Sequence, residues 1–320
     1  MRSTAIVVAA LGPLLLAACN VSSRPDNGSH VTTPGNPDLT MTSNMNCPNP
    51  GPDGCPVDNC SDAAKLVYVV DENNELSSFA PDKLAFTAIG TLRCPAMPGA
   101  TPFSMAVDRN ADAWVLYNSG EVFKVNTTTA GCASTTFVPS QKGFDVFGMG
   151  FSTNMAGGTD ETLYIAGGAL SNIGTTSTLG SISMPQLKVT SIAGISGSPE
   201  LTGISDATLW GFFPDATRPR VAEIDKATGA LSNTKPLTQL AGMPLAWAFA
   251  YWGGDFWIFL ETANDTSTNV WQLKAAGGVV KAIPDTGRTI VGAGVSTCAP
   301  TTIGITPAPT PSAPPDPAQR

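Results

Sequence analysis

The chain has 320 residues and is rich in turn formers, with 32 glycines and 27 prolines, whereas charged residues make up 13% of it. This composition disfavours helical bundles and coiled coils and is typical of many short strands joined by turns. The net charge of −8 and the lack of a basic cluster argue against a nucleic-acid partner. The single histidine, His30, lies in a low-complexity stretch, so histidine triads and multi-histidine metal sites are not expected.

The first residues have the layout of an export signal. Arg2 precedes an apolar run that is too short to span a bilayer. The run ends in Leu-Ala-Ala-Cys, which resembles the lipobox of bacterial lipoproteins. This resemblance implies that residues 1–18 are a cleaved signal peptide and that Cys19 carries the lipid anchor. By the same resemblance Asn20 favours the outer membrane over the inner one. The alternative is an ordinary cleaved signal with an incidental cysteine.

Two polar segments flank the central part of the chain. Residues 19–61 are rich in Asn, Pro, Ser, Thr and Gly and predict a flexible tether, while residues 299–320 predict an extended, proline-rich tail. The folded body is expected over residues 62–298, outside the cytoplasm.

A repeat of about 46–50 residues runs through this body. Each unit contains a short strand with an aromatic residue at the same place, followed by further alternating strands. The repeated aromatics, expected to form core between sheets, are Tyr68, Trp114, Tyr164, Trp210 and Trp257. Four strands per unit at this period predict a β-propeller, in which radially arranged sheets bury both faces against their neighbours. Strands of small residues precede four of the aromatics and are expected nearest the axis, at Ala106, Gly150, Gly203, Gly292 and Ala248 or Ala250.

The first unit lacks such a small-residue strand, and the stretch 289–296 is one without a following partner. The sequence therefore predicts an all-β fold, a five-bladed propeller in which the C-terminal strand completes the first blade beside residues 66–70. That pairing removes an exposed sheet edge. Six or seven blades are the alternative if an insertion hides a repeat, and blade 3, with extra residues at 153–161 and 166–178, is where that would occur.

The cysteines predict disulfides, because an exported chain with an even number of them is expected to pair them. Besides Cys19 there are six, namely Cys47, Cys55, Cys60, Cys94, Cys132 and Cys298. Ring closure favours a bond between Cys298 and Cys60, with Cys55 as the alternative partner. Cys94 and Cys132 remain as a default pair, although the strand count places them at opposite rims. A metal site is disfavoured because no Cys-x-x-Cys spacing exists.

Short motifs resemble known propeller repeats. The stretch AVDRNADAWVLYNSGEVFKVNTTTAG resembles repeats of the NHL and YVTN type, with Ala111 in place of the expected turn glycine. The segment 222–231 is similar to the quinoprotein repeat. The whole chain also resembles propeller lipoproteins of exported bacterial proteomes. These resemblances support the fold, but no set of quinone ligands is identifiable, so no cofactor is expected.

Motifs for catalysis are weak. Asp108 begins an Asp-x-Asn-x-Asp run like a calcium loop, but Ala113 and Ser119 stand where an EF-hand needs Gly and Glu, so a polar turn is predicted. Paired-carboxylate hydrolysis, known from five-bladed glycosidases, needs two acids about 5–9.5 Å apart. Near the inner strands the acids are Asp108 and Glu200, on different blades and at opposite predicted rims.

One rim of the predicted propeller carries long polar loops. Loops from second to third strands share a rim with the inter-blade loops, and those at 166–178, 213–220 and 261–269 are long. Polar loops on a rigid scaffold are frequent ligand sites, although neutral drift of surface loops is the alternative. The candidate binding residues are Lys142, Asp145, Asp215, Arg218, Asn264 and Asp265. Trp247 and Trp252 lie off the repeated aromatic position, and Trp252 is expected at an exposed Gly-Gly turn.

Together these features predict an envelope-anchored lipoprotein whose propeller binds or scaffolds a glycan, peptidoglycan or an envelope protein. No metal is expected. The alternative is an extracytoplasmic hydrolase or lyase that uses carboxylates near the axis. Two converging acids in the axial pocket, with the pKa of one of them raised, would favour catalysis, whereas a pocket floored by Gly and Ala backbone and rimmed by neutral polar loops would favour binding.

Overall fold

The computed structural model describes residues 60–302, which contain twenty β-strands and four three-residue 3-10 helices. In chain order the strands are β1 (Val67–Asp71), β2 (Glu75–Ala80), β3 (Ala85–Thr91), β4 (Pro102–Val107), β5 (Asp112–Tyr117), β6 (Val122–Asn126), β7 (Cys132–Ser134), β8 (Val146–Thr153), β9 (Glu161–Gly168), β10 (Thr176–Ser183), β11 (Lys188–Ser196), β12 (Glu200–Gly203), β13 (Leu209–Phe213), β14 (Arg220–Ile224), β15 (Leu231–Pro236), β16 (Pro244–Trp252), β17 (Asp255–Thr262), β18 (Asn269–Leu273), β19 (Val279–Ile283) and β20 (Ile290–Val295). The 3-10 helices are Ala63–Lys65, Gln141–Gly143, Leu170–Asn172 and Thr238–Leu240.

The strands form five antiparallel sheets of four strands each, and the predicted five-bladed propeller is confirmed. Blades 2 to 5 take their strands consecutively, as β4–β7, β8–β11, β12–β15 and β16–β19. Blade 1 has the order β20-β1-β2-β3. The extra residues in blade 3 lengthen its own strands and loops and do not add a sixth sheet to the described part of the chain.

Blade 1 closes the ring because β20 lies antiparallel beside β1. Val67 pairs with Val295 and Val70 with Gly292, so the C-terminal strand occupies the position predicted for it. No strand before β1 in the described chain could serve as the innermost strand of blade 1, and β20 takes that place. The inner edge of β1 is therefore hydrogen-bonded and not left open.

The inner strands β4, β8, β12, β16 and β20 surround the axis and approach one another closely. A Cβ atom at Gly203 would lie 2.1 Å from the carbonyl oxygen of Phe151, and one at Gly148 would lie 2.2 Å from that of Pro199. Real side chains do not tolerate such distances, because protein interiors are already close-packed. The small residues near the axis are therefore required by backbone packing between blades.

The repeated aromatic residues pack between blades, as predicted. Tyr68, Trp114 and Trp257 are 2–7% exposed. Phe79 of blade 1 shows the contact, since its ring centroid lies 5.5 Å from that of Trp257 in blade 5, in an edge-to-face arrangement. These rings stabilise the inter-blade core, and Tyr164 and Trp210, which are half-buried, pack against it.

Two disulfides join cysteines of the described chain. Cys60 is bonded to Cys298, with 5.8 Å between their Cα atoms, which is the pairing that ring closure favours. Cys94 is bonded to Cys132, with 5.1 Å between their Cα atoms. The first bond links the segment before β1 to the segment after β20 and so reinforces the closure.

The expectation that Cys94 and Cys132 lie at opposite rims was wrong, and sheet twist is the reason. Neighbouring strands rotate by about 20–25°, so the fourth strand of a blade is turned by roughly 60–75° from the first. The end of β3 thus crosses onto blade 2, where a Cβ at Gly90 would lie 3.3 Å from the Cβ of Ala130.

Several predicted features lie outside the described residues. They are the signal peptide 1–18, the lipidation site Cys19, the cysteines Cys47 and Cys55, the tether up to residue 59, and the tail from residue 303. Within residues 60–302, no helix has the length and apolar character of a membrane span.

Candidate functional site

An opening at the propeller axis is lined by the first residues of inner strands and, on one side, by the β9–β10 segment and the residues just before β12. It consists of two adjoining cavities of about 90 Å³ and 20 Å³, which share Phe103, Glu200 and Trp247. We call this pair of cavities the axial mouth. The larger cavity also has Leu245 and Val291 in its wall. Because strands alternate in direction within a blade, the mouth opens on the face that carries the long loops at 166–178, 213–220 and 261–269.

A single buried carboxyl forms the floor of the axial mouth. Glu200 is 2% exposed, and its Oε2 accepts a hydrogen bond of 2.9 Å from the hydroxyl of Ser104 on the facing strand β4. The backbone N–H groups of Met149 and Leu201 also donate to this carboxyl. Burial raises the pKa of Glu200 well above its ordinary value, and the three hydrogen bonds counteract that rise in part. Among the described residues lining the two cavities, none is Lys, Arg or His.

Apart from Glu200, the wall of the larger cavity is apolar and partly open, whereas the smaller cavity also has Asn172 and Ser198 in its wall. Phe103 and Trp247 are half-buried, and Leu245 at the edge of the larger cavity is 58% exposed. Met243, two residues before Leu245, is also exposed. Large apolar side chains left in contact with solvent beside a cavity are typical of a surface that binds another molecule.

The six candidate residues from the sequence lie in loops around this face, and none of them lines the two cavities. Two of the carboxylates bind their own loops. Asp215 accepts hydrogen bonds of 2.8 and 2.9 Å from the backbone N–H groups of Thr217 and Arg218, which hold the pKa of Asp215 below its ordinary value. Asp265 accepts the backbone N–H of Thr262 at 2.9 Å.

The other four candidate residues differ from one another in exposure. Lys142, Arg218 and Asn264 are exposed, and Asp145 is half-buried in the inter-blade loop before β8. Trp252, expected at an exposed turn, is half-buried instead, and its indole N–H donates to the carbonyl of Lys65 at 2.9 Å.

A second polar cluster lies at the opposite end of the axis. Glu161, the first residue of β9, accepts the backbone N–H of Arg109 at 2.8 Å through Oε1 and the hydroxyl of Thr297 at 2.8 Å through Oε2. The guanidinium of Arg109 donates to Thr297 at 3.0 Å and to the Sγ of Cys60 at 3.2 Å. Burial raises the pKa of Glu161 to about 7, and the nearby charge of Asp108 adds to the rise. This cluster joins blades 1, 2 and 3 beside the Cys60–Cys298 disulfide.

Asp108 is a turn residue, as the sequence predicts. Its Oδ1 accepts the backbone N–H groups of Asn110 and Asp112, and its Oδ2 accepts the indole N–H of Trp114 at 3.1 Å. Asp108 and Glu161 are the carboxyls that come together near the axis, and all four oxygens are engaged in holding turns and strand ends. Glu200 lies at the other end of the axis, apart from both.

Sequence reasoning singled out Glu200 as an acid at the end of an inner strand, but it missed Glu161. Glu161 begins a second strand, and it reaches the axis because the first hairpin of blade 3 extends to the pair Thr153–Glu161. The extra residues at 153–161 were the one feature of the sequence that could have indicated the position of Glu161.

No family model and no curated protein matches the chain. Solved structures that are similar include a protein from Bacteroides caccae (11% identity, TM-score 0.41, covering 72% of this chain and 97% of that one). A luciferin-regenerating enzyme is also similar (14% identity, TM-score 0.42, covering 69% and 74%). The Dos1 propeller is a third (9% identity, TM-score 0.38, covering 69% and 56%).

Proposed function

We propose that this protein is an envelope-anchored lipoprotein whose propeller is a binding module, and that the axial mouth receives its extracytoplasmic partner. The observation that carries the proposal is the mouth itself: an open cavity with half-buried aromatic walls, an exposed apolar edge and one buried carboxyl at its floor. Apolar cavities with few, well-placed polar groups are the usual form of a binding site on a rigid scaffold. The partner classes that fit the exported address are a glycan, including peptidoglycan, and an envelope protein.

The course of the chain supports access to the mouth. Cys60 and Cys298 are bonded on the face opposite the mouth, and the backbone N–H of Gly253 in the β16–β17 turn donates to the carbonyl of Pro300 at 2.7 Å. The described segments that enter and leave the propeller are thus fastened to that opposite face. A partner reaches the mouth without displacing them.

Binding is favoured over carboxylate hydrolysis by the distribution of acids. Paired-carboxylate chemistry needs a second acid facing the same cavity. Among the described residues of the axial mouth, Glu200 is the single carboxylate, and the pair formed by Asp108 and Glu161 is engaged in structural hydrogen bonds at the other end.

The mouth is tested by placing a charge on its edge. We expect Leu245→Glu to reduce binding to native envelope extracts and glycan arrays by at least tenfold, because a carboxylate would disrupt an apolar contact surface. Val280→Glu is the matched control, since Val280 is also exposed but lies on the outer strand β19. The measurement is saturable binding of the full-length chain, repeated with each purified partner. Equal binding by both variants, or turnover in a hydrolase panel without any binding, would contradict the proposal.

The anchor is tested separately at Cys19. We expect the unaltered protein to incorporate an alkyne-labelled fatty acid in vivo and to sediment with membranes, because two or more acyl chains give stable anchoring. Cys19→Ala is expected to lose the label and the membrane association. A Cys19→Ala protein that remains labelled and membrane-bound would contradict the assignment of Cys19 as the lipid site.

A further inference from the structure

The floor of the axial mouth carries a carboxyl group with hydrogen-bond donors but without a counter-charge among residues 60–302. Glu200 receives neutral donors only, from the Ser104 hydroxyl and two backbone N–H groups. A buried acid of this kind is costly to ionise unless a cation is supplied beside it. Because Glu200 lines both cavities of the mouth, a ligand that enters the mouth lies next to this residue and is able to supply that cation.

The aromatic walls of the mouth suit the same kind of ligand. Phe103 and Trp247 both line each of the two cavities together with Glu200. An ammonium group near an aromatic face is attracted by the negative potential of the ring, and the attraction is stronger where water is excluded. The alkyl groups next to the ammonium would pack against the same rings and against Leu245.

We propose that the axial mouth binds its partner through a primary ammonium group, which donates hydrogen bonds to Glu200 while its alkyl chain packs between Phe103 and Trp247. This inference rests on the proposed binding function and names the chemistry of the group that enters the mouth. A lysine side chain of a protein and a free alkylamine share this chemistry.

Charge and size both favour this ligand over the other classes. An anion would enter a cavity whose single ionisable group is acidic. A neutral alcohol would form a hydrogen bond but would leave the carboxyl without a counter-charge. The larger cavity, of about 90 Å³, accepts an ammonium head and the carbons next to it, while the rest of the ligand extends through the opening.

Glu200 is also the group that makes this binding depend on pH. Glu200 on β12 is paired with Phe212 of β13. Residues of β4, β8, β9, β10, β16 and β20 line the two cavities with it, and among these described lining residues no other side chain is titratable. Binding of an ammonium favours the ionised carboxyl. Below the pKa of Glu200 in the free protein, binding therefore releases one proton, and affinity rises with pH by up to about tenfold per unit.

Calorimetric titration of the full-length chain with n-butylammonium chloride tests the proposal. We expect saturable binding that strengthens as the pH is raised above the ordinary titration range of a glutamate, because the pKa of Glu200 is raised, with proton release visible as a dependence of the heat on the buffer. 1-Butanol, which has the same chain length without the charge, is expected to bind at least tenfold more weakly. N-acetyl-lysine methylamide distinguishes the source, since tighter binding of this probe than of n-butylammonium indicates a protein-borne lysine and the reverse order a free amine.

Two variants locate the site. Glu200→Gln keeps the shape of the side chain and is expected to weaken n-butylammonium binding at least tenfold and to abolish its pH dependence. Glu223→Gln, on strand β14 of the same blade and outside the mouth, is expected to change neither. Trp247→Leu is expected to weaken binding about three- to tenfold through loss of the cation–aromatic contact. If Glu200→Gln is unstable, measurements on the unaltered chain and on Trp247→Leu still show whether the axial mouth binds the ammonium group.

The outcomes separate this inference from the proposed function. Equal affinity for n-butylammonium and 1-butanol, or pH-dependent binding that persists in Glu200→Gln, would overturn the ammonium assignment. If envelope partners are nevertheless captured in a manner that requires Leu245, the binding function stands and its ligand chemistry differs. If neither probe nor partner binds, both proposals fail.

Discussion

Gly203→Ala is expected to lower the free energy of unfolding by about 3 kcal/mol, because the inner strands of blades 3 and 4 meet backbone to backbone at this position. The added Cβ would lie 2.1 Å from the carbonyl oxygen of Phe151 and 2.5 Å from the Cα of Ser152. Neither atom belongs to a flexible side chain, so two inner strands must separate to admit the methyl group. The loss is measurable by urea unfolding with the disulfides intact.

Gly194→Ala is the matched control for this substitution. Gly194 also lies in a strand, β11, but a Cβ there would meet no atom within 4 Å. Alanine at such a site is expected to be neutral or to stabilise the protein by about 0.5 kcal/mol, because it reduces the freedom of the unfolded chain. Equal stability of the two variants would mean that the inner strands can move apart at the axis without loss of folding free energy. That result would contradict the close backbone packing described above.

Removal of the closing disulfide is expected to have the largest effect on stability. The bond between Cys60 and Cys298 spans 238 residues of sequence, and in the chain-entropy treatment a loop of that size stabilises the folded state by about 5 kcal/mol. We expect the double variant Cys60→Ser/Cys298→Ser to lose about that amount in urea unfolding. Its amide hydrogens in β1 and β20 are expected to exchange first, since these strands hold the ring closed.

The second disulfide provides the comparison. Cys94 and Cys132 are separated by 38 residues, so their removal is expected to cost about 4 kcal/mol and to leave the β1–β20 pair protected. Faster exchange confined to β1 and β20 in the Cys60/Cys298 variant alone supports the role of that bond in closure. Uniform exchange across all blades in both variants would speak against it.

The blade pattern was readable from the sequence because it is a local property. The aromatic residues recur at a nearly constant spacing, and each strand alternates over a few residues, so the number of blades follows from counting. The closing strand was also predictable, since one unit lacked an inner strand and the stretch 289–296 supplied one. The pairing of Cys60 with Cys298 followed from that closure.

The proposed binding surface was predictable only in part. The face of the propeller that carries long loops was identified from loop length, yet Asp215 and Asp265 bind their own loop backbones. Loop length reports where a chain is free to vary, and it does not report which side chains remain free to contact a ligand. Trp247 stood out for its irregular position, and it lines the mouth.

The sequence by itself determined the repeat, the number of blades and the closing strand, because periodic burial is encoded residue by residue along the chain. Tertiary structure decided which distant side chains meet: Glu200 with Ser104 across the axis, and Glu161 with Arg109 and Thr297 at its other end. Sheet twist decided the contact between Cys94 and Cys132. These contacts depend on the rotation and radial arrangement of whole sheets, which no stretch of neighbouring residues specifies on its own.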